Sequence, residues 1–416
     1  MHRDHLLWSI QLVAAGVQLG NAFFLTVLPM VMKERYVNAT SQSDTNLSRL
    51  EDSWQVSVSS FFMTYRVLSQ LVPILPGFFV AWLGDMGWRK SLIMLPLLGL
   101  MLSRLVVLFM LILDWPVKIL WVEVIITALC GGSTVFWSGI MTLLSLGSTS
   151  QDRSKVLMRA ELISGLSGVV GCMTAGHLYN VSSTNLRPGV VTLLICVLFH
   201  GSCMIYVIFF LQASAGALCD NKTLMKANDD TTCDHPHKVV NIILLWMSGL
   251  LYNAVDSSTR NILVLFQLME PLHWNVTQVS YGNASGFLIT ISSFLSSVIL
   301  SRWLSDSSLI TIGLLSNAAG MLPMAFATTT YMFFIARVLA LFSLMPVPLI
   351  CSLLSQQVHG SSYSKVLISL QLSLKLSSAG TNLLYAKIYQ LTFSWFPGFV
   401  LILTSLISIV AIIPIR

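Results

Sequence analysis

The tetrapeptide Ser-Lys-Val-Leu occurs in GSTSQDRSKVL, residues 147–157, and again in HGSSYSKVL, residues 359–367. The copies stand roughly half a chain apart. In a chain rich in Leu and Ser, a repeated four-residue word can arise by chance. The repeat therefore indicates duplication only if both copies fall at matching places in the architecture.

The composition is that of a membrane protein. Of 416 residues, 55% are hydrophobic and 10% are charged, and the mean hydropathy is +0.78. A soluble domain carries roughly 25% charged residues. A helix needs about 20 predominantly apolar residues to cross the bilayer core. We predict twelve spans: Leu6–Met30, Gln55–Trp82, Ser91–Ile112, Ile119–Leu146, Val156–His177, Gly189–Gln212, Val239–Leu265, Ser280–Ser301, Leu309–Thr328, Tyr331–Leu354, Val366–Lys387 and Phe396–Ile415.

Loop charges predict that both termini are cytosolic. Lys and Arg concentrate in the loops on the side of the termini, as the positive-inside rule requires. These loops also explain the formal net charge of +6, and no basic patch with interleaved aromatic residues indicates nucleic-acid binding. Four Asn-X-Ser/Thr sequences fall on the opposite side in the same topology. We expect glycans at Asn38, Asn46, Asn180 and Asn275.

A polar stretch divides the spans into six and six. Residues 213–238 predict a cytosolic linker between an N-terminal half, 1–212, and a C-terminal half, 239–416. Each Ser-Lys-Val-Leu then precedes the fifth span of its half, and Trp-Leu-x-Asp, ending at Asp85 and Asp306, follows each second span. Two short sequence repeats at corresponding positions predict a duplicated six-helix unit, the all-α major facilitator fold. The alternative is that loop words recur under a shared topological constraint.

No cofactor, metal or enzymatic site is expected. The seven cysteines are intramembrane or cytosolic in this topology, so no disulfide framework is implied. The sequence CDHPH, residues 233–237, has only one Cys for a zinc site. No clustered nucleophile or phosphate-binding loop is present, and we interpret His177 and His200 as helix-packing residues.

Charged residues within spans point to function, because each costs about 3 kcal/mol or more at the bilayer centre. Two of the pairs can be structural: Asp256 with Arg260 on one helical face, and Arg104 with Glu123 across a short hairpin. With those pairs neutral, an excess of positive charge remains. An anionic solute would supply the missing negative charge. The remaining cations, which we place at the substrate cavity, are Arg66, Arg337 and Lys375.

Glu161 is the predicted proton site. A carboxylic acid in a low-dielectric cavity can take up a proton near neutral pH because desolvation disfavours its charged form. Gly165, Gly168 and Gly171 follow at a spacing that permits close helix packing. The alternative is an acid near the inner end of its helix, bonded to Arg159 or to water.

Uncharged polar residues within spans are further candidates for a wetted cavity wall. Hydrogen bonding from helix to helix is the alternative for each of them. The candidates are Gln11, Gln18 and Asn21 on span one, and Asn253 and Asn261 on span seven.

Several stretches resemble solute carrier family 46, which includes the proton-coupled folate transporter. They are LDWPVKIL (113–120), FWSGIM (136–141), AGHLY (175–179), EPLHWNVTQVSYGNASG (270–286), YMFFIAR (331–337), GSSYSKVLISLQLSL (360–374) and YAKIYQLT (385–392). The resemblance covers nearly the whole chain outside the linker. It implies proton-driven import of organic solutes, with folates, bacterial muropeptides and cyclic dinucleotides among the family's substrates and muropeptides as the first expectation here.

The resemblance also carries individual residues. Glu161 matches the family's acidic proton-coupling position, and Asp85, Arg89 and Lys90 of GDMGWRK match an inner-gate motif, to which we add Asp306 of the second Trp-Leu-x-Asp.

The chain also departs from the family pattern. Cys351 stands where the family often has an Arg, Gln356 replaces a Lys, and Asn261 replaces an Asp. Asp256 occupies the position of a histidine in the folate transporter, and we include it as a second proton-coupling candidate. These departures put folate as substrate and the usual proton route in doubt.

Together these features predict a proton-coupled symporter that imports anionic organic solutes, first of all muropeptides of the diaminopimelate type. Its partners would be the solute, protons and the lipid bilayer. A proton-independent facilitator or exchanger for folate-like or cyclic dinucleotide anions is one alternative. A receptor or scaffold that lost transport is another. The plasma membrane is the expected location, with the endosomal or lysosomal membrane as alternative.

Overall fold

A computed structural model describes residues 2–41, 60–62, 64–65, 67–85, 90–148, 153–181, 188–210, 236–268, 272–357, 363–393 and 395–415. All regular secondary structure in these ranges is helical. The α-helices are α1 (His2–Ser41), α2 (Ile74–Asp85), α3 (Ser91–Ile112), α4 (Leu120–Leu129), α5 (Gly132–Gly147), α6 (Arg153–Val181), α7 (Val190–Phe210), α8 (Pro236–Leu268), α9 (Val276–Leu300), α10 (Asp306–Ala325), α11 (Thr330–Leu339), α12 (Pro346–Gln357), α13 (Tyr363–Thr392) and α14 (Phe399–Val410).

Helices coincide with all twelve predicted spans in the part of the chain that is described. Seven of these segments are long and apolar enough to cross a membrane: Leu6–Arg35, Ser91–Ile112, Val117–Leu144, Met158–Tyr179, Val190–Phe209, Val276–Leu300 and Asp306–Ala325. Helices form here because a bilayer offers no partner for a free backbone N–H or C=O. Spans two, four and ten differ from the prediction. A turn at residues 72–73 interrupts span two before α2, and spans four and ten each consist of two helices, α4 with α5 and α11 with α12.

The chain forms two compact units. The first contains Met1–Lys222 together with Asn275–Phe287, and the second contains Thr223–Trp274 and Leu288–Arg416. The boundary thus runs through α9, whose first part belongs to the first unit. The predicted linker lies mostly outside the described residues.

In the first unit, α1 packs along both α6 and α7. Its apolar core brings together residues of α1, α3, α5 and α7, including Ile10, Leu97, Phe136 and Val207. Glycine makes the close approach of α1 and α7 possible, because a Cβ on Gly20 would lie 2.5 Å from Cε1 of His200.

In the second unit, α8 packs against α13, and α10 packs against α14. Tyr252, Ile310, Ile350 and Leu374 form the centre of its apolar core. Each unit therefore buries an apolar centre of its own, as expected of a helical half.

Candidate functional site

Glu161 lies on α6, which runs parallel to α1. Two contacts fix the register: Gln11 Nε2 donates to the Val156 carbonyl at 3.3 Å, and Cys172 Sγ lies 3.9 Å from the Ala22 carbonyl oxygen. Glu161 falls between these two contacts. It shares a helical face with Gly168 and Cys172, seven and eleven residues further along.

That face of α6 packs against α1 and the first part of α9. A Cβ on Gly168 would lie 2.5 Å from the Phe287 ring, and Ala22, Cys172 and Ala284 form a small buried cluster. Glu161 therefore lies on the face of α6 that packs against α1.

The Glu161 carboxylate is half-buried and makes no hydrogen bond or ion pair with any residue described in the structure. Arg159, the neighbouring cation, instead stacks its guanidinium carbon over the Trp8 ring at 4.3 Å from the centroid. The alternative of an Arg159 partner for Glu161 is thus not the arrangement seen.

Other polar side chains of α1 and α6, between the same two contacts, also lack a hydrogen-bond partner among the described residues. Gln18 and Asn21 are half-buried on α1 and form no hydrogen bond among the described residues, and the Ser164 hydroxyl is buried without a partner there. We call Gln18, Asn21, Glu161 and Ser164 the α1–α6 polar group. Unpaired polar atoms at this depth are costly unless water or a ligand satisfies them.

Glu123, by contrast, is fully neutralised. Its carboxylate accepts from Arg104 Nη1 at 2.6 Å, from the Tyr65 hydroxyl at 2.7 Å and from the Thr127 hydroxyl at 3.3 Å. The Arg104 guanidinium also lies over the Phe24 ring, 3.4 Å from the centroid. The hairpin pairing of Arg104 with Glu123 that the sequence permits is therefore formed, and both partners are buried.

Asp256 is neutralised as well. Its carboxylate pairs with Arg260 at 2.7 Å, one helical turn further along α8. Arg337 of α11 lies within electrostatic range of both residues, and its guanidinium carbon is 5.2 Å from the centroid of the Phe333 ring. Arg337 Nε is buried without a hydrogen-bond partner in the described structure. Among the described residues, this cluster carries two cations, Arg260 and Arg337, for the one anion, Asp256.

Three amide side chains predicted to line a cavity form bonds between helices. Gln11 reaches α6 as described above. Asn253 donates to the Leu374 carbonyl at 3.1 Å and to the Ser378 hydroxyl at 2.8 Å, and Asn261 donates to Asn382 at 3.0 Å. These contacts join α8 to α13 and correspond to the helix-to-helix alternative.

Several predicted residues fall outside what the structure describes. Arg66, Arg89 and Asn46 lie outside the described residues altogether. Five others belong to described helices, but their side chains are outside the described part: Asn38, Asp85, Asn180, Cys351 and Lys375.

Two residues of the predicted inner-gate motif have side chains that the structure describes. Lys90 Nζ donates to the Ile208 carbonyl at 3.0 Å, which ties the start of α3 to the end of α7. Asp306 occupies the first turn of α10, where a carboxylate is stabilised by the helix dipole.

Asn275 is exposed immediately before α9. Its side-chain oxygen accepts from the Gln278 amide at 2.9 Å, and the Gln278 side chain accepts from the Asn275 amide at 3.1 Å. This reciprocal capping box uses Oδ1 of Asn275 and leaves Nδ2, the atom that a glycan would occupy, out of the cap.

The histidines make packing contacts. His177 Nε2 lies 3.0 Å from the Tyr281 hydroxyl, which links α6 to the first part of α9, and His200 Nδ1 lies 2.8 Å from the Cys196 carbonyl oxygen. No group of three or more His, Cys, Asp or Glu residues in the described ranges could hold a metal ion.

Sequence patterns did not reveal the interruptions in spans four and ten. Gly131 and Gly132 interrupt the first of these spans with φ values of 90° and 64°. Adjacent glycines inside an apolar run are the signal that could have indicated it. In the second, Pro346 and Pro348 mark the start of α12.

No family model matches the chain, but similar proteins are found. Solute carrier family 46 member 2 of Canis lupus familiaris is 37% identical over 393 residues, which cover 88% of this chain and 81% of the relative. The Mus musculus protein of the same name is 34% identical over 98% of this chain and 91% of the relative. A Gallus gallus protein named lysosomal proton-coupled steroid conjugate and bile acid symporter SLC46A3 is 25% identical over 91% of this chain and 85% of the relative.

Solved transporter structures share the fold. The human organic anion transporter MFSD10 (TETRAN) matches with a TM-score of 0.65 at 14% identity, over 100% of this chain and 99% of that chain. The major facilitator superfamily transporter FucP matches with a TM-score of 0.57 at 11% identity, over 100% and 99% respectively. The predicted all-α major facilitator fold is confirmed, and the protein is a transporter rather than an enzyme. The chain belongs to solute carrier family 46.

Proposed function

We propose that this transporter is a proton-coupled symporter that imports anionic organic solutes by alternating access, with Glu161 as the proton site. The observation that carries the proposal is the contrast among three acids. Glu123 and Asp256 are paired with arginine, whereas Glu161 has no partner in the described structure.

An unpaired carboxylate is the form of acid that proton coupling needs. Ionised, Glu161 has no counter-ion among the described residues, and protonated it becomes neutral and can donate a hydrogen bond. Gln18 and Asn21 supply amide groups on the neighbouring part of α1. Proton uptake at Glu161 would therefore change both the charge and the hydrogen bonding of the α1–α6 polar group.

The positive charge of the second unit favours an anionic solute. Arg260 pairs with the Asp256 carboxylate, and Arg337 lies within electrostatic range of it. Arg337 Nε has no hydrogen-bond partner in the described structure. A carboxylate or phosphate on a solute would complete this cluster through charge-assisted hydrogen bonds. We assign Arg337 to substrate binding, and Arg66 and Lys375 remain predicted contributors.

The name of one more distant relative supports the proposal of proton coupling. The Gallus gallus relative is named as a proton-coupled symporter of steroid conjugates and bile acids, and it is named lysosomal. We retain muropeptides of the diaminopimelate type as the first substrate to test. We also retain the plasma membrane as the proposed location and cytosolic termini as the proposed orientation. The endosomal or lysosomal membrane is the alternative location.

Uptake measurements separate these possibilities. Cells expressing the chain would receive labelled diaminopimelate muropeptide, folate or a bile acid conjugate at acidic and at neutral outside pH, with surface protein measured in parallel. Glu161→Gln removes the titratable group while keeping its size, and Glu161→Asp is the matched variant that retains an acid. The proposal predicts acid-stimulated uptake that the Glu161→Gln variant loses and the Glu161→Asp variant partly keeps.

Each alternative gives a different result. Equal uptake at both pH values that the Glu161→Gln substitution does not change would identify a proton-independent facilitator or exchanger. No uptake of any solute by protein confirmed at the surface would favour the receptor or scaffold.

A further inference from the structure

The fourth span of each predicted half is built from two helices. In span four, α4 ends at Leu129 and α5 begins at Gly132. In span ten, α11 ends at Leu339, and α12 begins at Pro346. The preceding helices, α4 and α11, each contain ten residues. The interruption therefore recurs at corresponding positions, and discontinuous helices at the repeat interface of transporters typically form their substrate and ion sites.

Residues 340–345, which we call the span-ten break, leave no backbone N–H without an acceptor. Four of the amides donate to backbone carbonyls of α11 or of the break. The pairs are Ala340 with Ala336, Leu341 with Val338, Ser343 with Ala340 and Met345 with Phe342. The other two donate to serine hydroxyls of neighbouring helices. Phe342 N–H reaches Ser316 Oγ at 3.2 Å, and Leu344 N–H reaches Ser293 Oγ at 3.1 Å.

The same hydroxyls also donate to carbonyl groups, one at the last residue of α11 and one within the break. Ser316 donates to the Leu339 carbonyl at 2.6 Å, and Ser293 donates to the Leu341 carbonyl at 2.8 Å. The hydroxyl of Tyr252 donates to the Ser343 carbonyl. We call Tyr252, Ser293 and Ser316 the hydroxyl clasp. All three residues are buried, and they come from α8, α9 and α10.

The hydroxyl clasp meets the charged cluster of the second unit. Tyr252 precedes Asp256 by four residues on the same face of α8 and interacts electrostatically with it. Arg337 lies three residues before the break and interacts electrostatically with Asp256. Binding of an anion at the charged cluster would therefore act on Tyr252, which contacts the break from α8, and on Arg337, which precedes the break on α11.

We propose that the span-ten break is a joint at which α12 changes its angle to α11 during transport, and that the hydroxyl clasp is a set of positioning residues that holds one arrangement of it. Non-helical backbone is tolerated at membrane depth only where protein or water satisfies it. Hydroxyls on other helices can release and re-form such bonds, whereas an unbroken helix cannot bend without losing its own. The role in transport rests on the proposed function, while the existence of the joint does not.

Hydrogen exchange tests the joint directly. The purified full-length protein in lipid nanodiscs would be followed by mass spectrometry as wild type, Ser293→Ala, Ser293→Thr and Ser297→Ala. Ser297 is the matched control, because it lies on the same helix and donates only to the Phe294 carbonyl of that helix, at 2.8 Å. Ser316→Ala, which removes the acceptor of the Phe342 amide, provides a second test if Ser293→Ala does not fold.

The joint predicts faster exchange in residues 340–345 than in α11 and α12 of the wild type. Ser293→Ala should accelerate exchange in the break by about tenfold, since it removes the acceptor of the Leu344 amide, a hydrogen bond of ordinary strength. The Leu341 carbonyl keeps the Ser292 hydroxyl as a donor. Ser293→Thr and Ser297→Ala should match the wild type. A break that exchanges as slowly as its flanking helices, or that Ser293→Ala and Ser316→Ala leave unchanged, would overturn the proposal, whatever the transport assays show.

Discussion

The buried pair of Arg104 and Glu123 gives a quantitative prediction. Glu123→Gln keeps the shape of the side chain but removes the charge that Arg104 Nη1 contacts at 2.6 Å. The arginine then remains buried over the Phe24 ring without a counter-ion. Breaking one partner of a buried pair costs about 3–5 kcal/mol. The folded-to-unfolded ratio should fall by about two to three and a half powers of ten.

A double variant distinguishes the cost of leaving one charge unpaired from the cost of losing both residues of the ion pair. Replacing both residues, as Arg104→Met with Glu123→Met, removes the two charges together, and such replacements are often close to neutral. The Tyr65 and Thr127 hydroxyls lose an acceptor, so a cost of about 1–3 kcal/mol should remain. The assay is denaturant unfolding of the purified protein in mixed micelles. A Glu123→Gln protein within about 0.5 kcal/mol of wild type, or a double variant as unstable as the summed singles, would refute the reasoning.

Three further results are expected. Gly20→Ala should lower stability by about 1–3 kcal/mol in thermal unfolding, because its Cβ meets His200 at 2.5 Å, whereas Gly286→Ala, with nothing within 4 Å, should be neutral or slightly stabilising. Asn275→Gln should remove one glycan, seen as a mobility shift that enzymatic deglycosylation of the wild type reproduces; an unchanged mobility would contradict it. Arg337→Gln should raise the KM for an anionic solute about tenfold or more at unchanged surface expression, while an unaltered KM would remove Arg337 from the substrate site.

Much of the fold could be predicted because membrane helices follow from local composition. Span three, Ser91–Ile112, has the same bounds in sequence and structure, since the charged residues Arg89 and Lys90 precede it. The span-ten break could not be predicted in the same way. Its backbone is satisfied by Ser293 and Ser316, which lie about 50 and 26 residues away along the chain from the amides they serve.

The candidate site was predictable only in part. The pair of Arg104 and Glu123 lies on one short hairpin, so depth along two consecutive spans was enough to suggest it. Tyr65 joins that pair from another span, and no local pattern indicates the contact. The lack of a partner for Glu161 among the described residues is likewise a property of the folded arrangement, because the neighbouring Arg159 instead packs on Trp8.

Proton movement through the reconstituted protein tests the central claim most directly. Proteoliposomes with a trapped pH-sensitive dye would receive the substrate identified by uptake, with the wild type and Glu161→Gln compared at equal protein content. The account predicts substrate-evoked acidification of the lumen by the wild type and none by Glu161→Gln, even where that variant still exchanges labelled for unlabelled substrate. Acidification by Glu161→Gln equal to that of the wild type would contradict the assignment of proton coupling to Glu161.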